Sequence, residues 1–414
     1  MNHPAPQATS HDDTLLATLS GDDRPGVAGE LLAAAAATDA TVLDLEQAVV
    51  RGQLLLTALL RPAAGTAERL SADLRAIAET HRLTIRLVAG RGDNPARRTG
   101  RASVVVIGAP LRATGLAALT ATIGEQGANI DRVRRLSRDP VTTLELDLSG
   151  ADVASLRREL ALVAAANALD VAVAPGGLAR RGRRLLVMDV DSTLIQDEVI
   201  ELLAQHAGRE AQVAAVTERA MRGELDFTES LHERVKALAG LDESVFEQVR
   251  AAIRLTPGAR TLVRTVKRLG FTVAVVSGGF LEIVGPLATE LGIDHAHANQ
   301  LEVRDGKLTG RVLGTVVDRA EKARALRRFA QTEGLPLSRT VAVGDGANDL
   351  DMLAAAGLGV AFNAKPIVRE QADATVNVPY LDAVLFMLGI SREEVEDADD
   401  AADPQTASLD SSHV

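Results

Sequence analysis

The chain has 414 residues, more than one hydrophobic core ordinarily holds, so several domains are expected. Hydrophobic residues make up 46% and charged residues 24%, which excludes a disordered or fibrous chain, and the absence of cysteine excludes disulfide frameworks, thiol nucleophiles and Cys-ligated zinc. A formal net charge of −11, 2% aromatic residues and no Trp argue against a nucleic-acid partner, which needs basic surface and stacking rings.

The opening MNHPAPQATSHD is polar and lacks the basic-then-apolar order of a signal peptide, and no apolar run reaches membrane-spanning length. A cytoplasmic protein without a membrane partner is therefore expected. Residues 14–20 read as a strand, and GDDRPG turns the chain into an Ala-rich helix over 27–37. Strands over 41–50 and 53–60, parted by Arg51-Gly52, a helix over 67–80 and a strand over 83–88 complete the order βαββαβ. That order makes a four-stranded sheet with both helices on one face.

After the basic linker GRGDNPARRTGR the same order recurs, with strands over 102–109, 130–136, 142–148 and 169–174 and helices over 114–127 and 153–167. The first half is thus an internal duplication. Both repeats enter their first helix through a glycine-containing turn, GDDRPGVAG and GAPLRATGL. Free amides there suit a small anion or carboxylate, and equally a plain reversal of the chain. Both repeats resemble the ACT domain, a small amino-acid-sensing module of ferredoxin-like fold. The first carries its DRPG signature at 23–26; the second has Leu111, Arg112, Ala113 and Thr114 there and rests on pattern and duplication. The resemblance implies a homodimer and an amino-acid effector at the interfaces. The repeats are bounded at 13–92 and 101–175.

Pro175-Gly176-Gly177 and the arginines after it mark the next boundary. From LLVMDVDSTLI onward, apolar strands alternate with longer helices, the pattern of a doubly wound, Rossmann-like α/β domain over 183–390 with a largely parallel sheet. A helical stretch over about 197–255 is long enough to cap a site at the strand ends. The end, 391–414, is acidic, lacks large apolar residues and reads as disordered.

Four short motifs follow strands in this domain. Asp189 and Asp191 in DVDST are two carboxylates two residues apart, where one can attack phosphorus while the other moves a proton and a divalent cation screens their repulsion. Ser277-Gly278-Gly279 offers a hydroxyl and close-approaching amides that suit phosphate oxygens or a simple turn. Lys322 lies on a helix with other basic residues. In GDGAND, Asp345 and Asp349 flanked by glycines fit a hard-cation site, since magnesium prefers oxygen ligands, and the spacing excludes an EF-hand.

In this order and at successive strand ends, the four motifs resemble the haloacid dehalogenase superfamily. The resemblance implies that Asp189 is the nucleophile and Asp191 the general acid and base. It further implies that Ser277, Gly278 and Lys322 bind the phosphoryl group, with Asn348 facing that site. Mg2+ would be held by Asp189, Asp345 and the backbone carbonyl of Asp191, with Asp349 in support. DVDSTLIQDEVIELLA and MRGELDFTESLHERV are similar to the phosphoserine phosphatase family within that superfamily, which makes O-phosphoserine the expected substrate and serine biosynthesis the expected setting. The carry-over assigns Glu198 to the substrate amine, Arg234 to its carboxylate, and Met221 and Phe227 to an apolar lid. Val190 stands where that family often has Phe, a conservative apolar change. The competing readings are a phosphatase of another small ester and a non-enzymatic amino-acid sensor. Because all four motifs follow Arg183, residues 183–390 alone are expected to retain catalysis.

Overall fold

The computed structural model describes residues 13–92, 99–138, 140–176, 184–221 and 224–400, the side chains of Met221 and Asp400 excepted. They divide into two compact units, one on each side of Arg97.

The first unit runs β1 (Asp13–Asp22), α1 (Val27–Ala37), β2 (Thr41–Val50), β3 (Gln53–Arg61), α2 (Ala67–His81) and β4 (Thr84–Arg91). Its antiparallel sheet has the order β2-β3-β1-β4. Alternate residues of the central strands, Leu15, Ala17 and Leu19 with Leu54, Leu56 and Leu60, meet Leu31, Leu70 and Leu74 of the helices in one core. This is the one-sided burial that period-two alternation produces.

The second unit begins with the repeat: β5 (Ala102–Gly108), α3 (Ala113–Glu125), β6 (Asn129–Ser137), β7 (Thr142–Ser149), α4 (Val153–Ala166) and β8 (Asp170–Pro175). Its strands take the same order, β8-β5-β7-β6. Here β5 is buried at every position, because Val104 and Val106 face the repeat's own helices while Val105 and Ile107 join the core of the domain that follows. ASVVVIG, without polar alternation, is the sequence of a strand covered on both faces.

That domain starts with β9 (Leu185–Met188), then inserts α5 (Val199–His206), α6 (Glu210–Met221), α7 (Phe227–Lys236) and α8 (Val245–Ala252) as the cap. The chain returns as α9 (Ala259–Arg268), β10 (Thr272–Phe280), α10 (Leu281–Leu291), β11 (His295–Arg304), β12 (Lys307–Leu313), α11 (Arg319–Thr332) and β13 (Thr340–Gly344). It closes with α12 (Leu350–Ala355), β14 (Leu358–Phe362), α13 (Pro366–Arg369), β15 (Ala374–Val376), α14 (Ala383–Met387) and α15 (Arg392–Asp400). Strands β11-β10-β9-β13-β14-β15 are parallel and β12 is an antiparallel edge. Among the described residues no helix is long and apolar enough to cross a membrane.

The second repeat and the α/β domain share one eleven-stranded sheet, because β8 pairs antiparallel with β15 at Ala172 and Ala374. Buried Asp170 seals the seam, accepting from Thr375 Oγ1 at 2.7 Å and from the Asn377 amide N–H at 2.8 Å. Arg157 of α4 donates to Asp373 at 2.6 Å, and the other oxygen of Asp373 accepts from the Gly359 N–H of β14. A cut at residue 183 therefore bares the β15 edge and removes Val105 and Ile107 from the core of the α/β domain. We expect a protein lacking residues 1–98 to keep the thermal midpoint of the second unit. One starting at 184 loses two buried side chains at about 1.5 kcal/mol or more each, a drop of roughly 6 °C or more by calorimetry. Equal midpoints would mean that the seam contributes nothing.

The segment 391–414, expected to be disordered, is helical over Arg392–Asp400. Its acidic composition hid a capping box: the Ser391 N–H donates to the Glu394 carboxylate at 2.6 Å while the Glu394 N–H donates to Ser391 Oγ at 3.2 Å. Val395 is buried, and Asp399 pairs with Arg264 and, at 2.5 Å, with Arg268 of α9. The remainder, 401–414, lies outside the described residues.

Candidate active site

Strand β9 lies at the centre of the parallel sheet between β10 and β13, and all four of its residues are buried. The chain leaves it at Asp189, whose N–H donates to the Val343 carbonyl at 2.9 Å. It then turns so sharply that Ser192 stands at φ 56°, a left-handed conformation that a non-glycine residue adopts mainly where tertiary structure imposes it. This turn delivers the carboxylates of Asp189 and Asp191 to the carboxyl ends of the strands, where ligands bind in open α/β sheets.

Lys322, completely buried on α11, lies between two carboxylates, with Nζ 2.7 Å from Asp189 Oδ1 and 2.7 Å from Asp349 Oδ1. Burial opposes its charge, but the two anions outweigh burial and raise its pKa above the ordinary lysine value. Burial also pushes the Asp189 carboxyl well above the usual carboxylate range, with Asp349 pushing the same way and Lys322 opposing. Asp191 is raised chiefly by burial, although its carboxylate accepts from the Val199 N–H at 2.7 Å and from Ser277 Oγ at 2.9 Å. Ser277 Oγ in turn accepts from the Gly279 N–H at 2.7 Å. A Cβ at Gly279 would lie 2.9 Å from that oxygen and 3.1 Å from Asp191 Oδ2, so only glycine fits there.

From the neighbouring strand end, Asp345 accepts from Thr193 Oγ1 at 3.2 Å, and its carboxyl is pushed up to about 6 by burial and then by the charge of Asp349. Asp349 also accepts from the Gly346 N–H at 3.0 Å. Oxygens of Asp189, Asp345 and Asp349 all lie within 4.8 Å of one another, an all-carboxylate donor set that fits a hard divalent cation. The side chain of Asp191 is engaged by Val199 and Ser277 instead.

The cap closes over this floor. Asp226 and Glu229 form a capping box that starts α7, which carries Phe227 and Arg234. Glu198 is held by Ser192 Oγ at 2.9 Å; although partly exposed, its carboxyl is crowded by protein and pushed up to about 7 by that burial and then by the charge of Asp191. Burial draws the pKa of Arg234 down, with the charge of Glu198 the first opposing influence.

One cavity of about 380 Å3 brings together Asp189, Asp191, Gly278, Asp345 and Asn348 on the floor with Glu198, Phe227 and Arg234 on the cap. Ser277 and Lys322 lie buried just beneath the floor. Met221 ends α6, and its side chain lies outside the described residues. Sequence reasoning missed Lys365, which also lines the cavity, and the roles of Ser192, Thr193 and Asn299 as partners of the site. The DVDST motif contained Ser192 and Thr193; nothing marked Lys365 or Asn299.

Residues 186–354 match the haloacid dehalogenase-like hydrolase family, and residues 13–88 and 101–174 each match an ACT domain family. A phosphoserine phosphatase of Streptomyces coelicolor is 58% identical over 95% of this chain and 97% of its own length. The chain belongs to the phosphoserine phosphatase family. Another relative in that family, phosphoserine phosphatase SerB2 of Mycobacterium tuberculosis, is 49% identical over 93% of this chain and 95% of its own. The unliganded crystal structure of a probable phosphoserine phosphatase from Vibrio cholerae superposes with a TM-score of 0.56 at 36% identity, covering 71% of this chain and 88% of that one.

Proposed function

We propose that the protein hydrolyses O-phosphoserine to serine and inorganic phosphate, the last step of serine biosynthesis. The observation that carries the reading is one cavity with an aspartate pair on its floor and a carboxylate and guanidinium, Glu198 and Arg234, on its cap. Those two charges match the ammonium and carboxylate that distinguish phosphoserine from other small phosphate esters.

In this reading Asp189 attacks phosphorus, the ester P–O bond breaks, and Asp191 gives its proton to the departing serine oxygen. Asp191 then takes a proton from water as the water oxygen attacks the phosphorus of the aspartyl-phosphate, which restores the Asp189 carboxylate and releases phosphate. The upward shift of Asp191 suits a group that must hold a proton near neutral pH. Lys322 neutralises phosphoryl charge. Ser277 must turn its hydroxyl away from Asp191 to reach a phosphoryl oxygen, whereas the Gly278 backbone already borders the cavity with Asn348 beside it. Glu198 receives the ammonium, Arg234 the carboxylate, and Phe227 with Met221 closes the apolar side. Asp189, Asp345 and the Asp191 carbonyl would hold Mg2+, Asp349 bracing Lys322 and the metal shell; when bound, the ion supplies charge neutralisation at the phosphoryl oxygens.

A cytoplasmic homodimer regulated by an amino acid at its ACT domains belongs to the same proposal. Supporting it, the edge strand β2 exposes Val42, Leu45, Val49 and Val50, apolar surface suited to self-association. Sedimentation with and without serine tests that part.

Phosphate release from phosphoserine, phosphothreonine and glycerol phosphate, each with and without magnesium, tests the reaction. Release from phosphoserine that is absent, or that magnesium leaves unchanged, overturns it. Arg234→Ala is expected to lower kcat/KM for phosphoserine by one to two decades, the value of a lost charge-assisted pair at roughly 1.5–3 kcal/mol, and to spare an aryl phosphate. Equal losses on both substrates would put Arg234 in the phosphoryl site or the fold.

A further inference from the structure

The end of β10 that carries Gly278 and the helix that carries Lys322 come from different parts of the chain, yet both must present their groups to one phosphoryl site. Between them lies Asn299 of β11, a residue only 1% exposed and part of none of the four motifs. Its side chain is used at both ends. Nδ2 donates to the Gly278 carbonyl at 2.8 Å, and Oδ1 accepts from the Val317 N–H at 2.8 Å. Gly278 lines the cavity, and Val317 precedes Asp318, whose carboxylate caps α11 by accepting from the Glu321 N–H at 2.7 Å.

We infer that Asn299 is a positioning residue for phosphoryl transfer, setting the Gly278 peptide and the first turn of the Lys322 helix at a fixed separation. The inference rests on the phosphoryl-transfer reading of this cavity. Two features of the structure favour an amide at this position. The partners are one acceptor and one donor, which only a group with both functions satisfies when fully buried. The sheet register between β10 and β11 also shifts at this place, between Ser277 and Phe280, so the regular ladder is interrupted at Gly278 and Gly279. Asn299 supplies the missing hold. The same strand braces the same helix a second time, because His297 Nε2 lies 3.1 Å from Glu321 Oε1, next to Lys322 in the chain.

The cavity has two halves, a phosphoryl floor and an amino-acid-binding cap. Glu198 and Arg234 belong to the cap and make no contact with Asn299 among the described hydrogen bonds. Disturbing Asn299 should therefore weaken whatever engages the phosphoryl group and leave amino-acid recognition in place. Asn299→Asp keeps size and the acceptor for Val317 but sets an oxygen against the Gly278 carbonyl. Asn299→Ser, the milder variant, can satisfy one partner at a time and decides the matter if the first does not fold.

The test measures kcat and KM for phosphoserine and an aryl phosphate, inhibition by inorganic phosphate and by serine, and thermal midpoint, in the full-length protein. Expected are a fall in kcat of roughly 10- to 100-fold on both substrates, the size of effect that small misplacement produces. Inhibition by phosphate should weaken about as much, with serine inhibition within about twofold of the parent. Activity of the folded variants close to the parent on both substrates, or equal weakening of serine and phosphate, overturns the inference. Failure of the parent itself to release phosphate from either substrate would instead overturn the reading of the site.

Discussion

Asp189→Asn is expected to lower phosphoserine turnover by at least about 10³-fold while the protein stays folded. The amide is no nucleophile, and its neutral oxygen is a poorer ligand for a hard cation than a carboxylate. Folding should not suffer, for a reason visible in the site. Asp189 is buried, and both burial and Asp349 disfavour its charge. Replacing it with a neutral group of the same size relieves that repulsion and leaves Lys322 paired with Asp349 at 2.7 Å. The thermal midpoint without magnesium should therefore equal or exceed that of the parent. Added magnesium should raise the parent's midpoint, because an ion that binds only the native state stabilises it, and should raise the variant's much less. Calorimetry with and without magnesium, together with phosphate release, checks both halves. A folded Asp189→Asn protein that still releases phosphate at an appreciable rate would remove Asp189 as the nucleophile.

Much of this fold is legible because its signals are local. Alternation in TLLATLS, glycine turns and the repeated βαββαβ order give elements within a few residues of those observed, and the motifs of Asp189, Gly278 and Asp345 converge on one cavity because each lies at the end of a strand of the same parallel sheet, with Lys322 brought beneath them by α11. What escaped depends on contacts between distant segments. The pairing of Ala172 with Ala374 makes one sheet of two domains, and no short-range pattern announces it, although the unbroken apolar run of β5 already implied cover on both faces. Ser277 presents a hydroxyl suited to phosphate, and only the assembled turn shows that hydroxyl bonded to Asp191. Asn299 sits in ANQLEV as an ordinary polar residue until Gly278 and Val317 are brought to it. The helix at 392–400 is legible as well, because Ser391 and Glu394 carry a capping-box spacing that composition alone obscures.

Lys322→Met should cost both activity and stability, and the two losses should respond differently to conditions. The substitution keeps the apolar stem and removes a cation that lies 2.7 Å from each of two buried carboxylates. Breaking a buried pair by deleting one partner typically costs roughly 3–5 kcal/mol, because the remaining charge is left without compensation. For a domain of this size that is a drop of roughly 10 °C in thermal midpoint near neutral pH. The sign of the pH dependence follows from Asp189, whose pKa is already raised in the folded state. With Lys322 gone it rises further, so the native state holds a proton that the unfolded chain gives up above the ordinary carboxylate range. Stability then falls as pH climbs from about 4, the unfolded value, and the deficit is greatest above the raised folded value. The variant's deficit should accordingly narrow between pH 8 and pH 5.5, and magnesium should narrow it further by supplying positive charge to the same carboxylates. Turnover should not recover with either change: loss of the group that neutralises the phosphoryl oxygens should lower kcat by roughly 10²–10³-fold at saturating magnesium. A thermal midpoint equal to the parent's at pH 8 would mean that the Asp189–Lys322–Asp349 cluster does not hold the site together. A kcat within tenfold of the parent's would remove Lys322 from the chemistry.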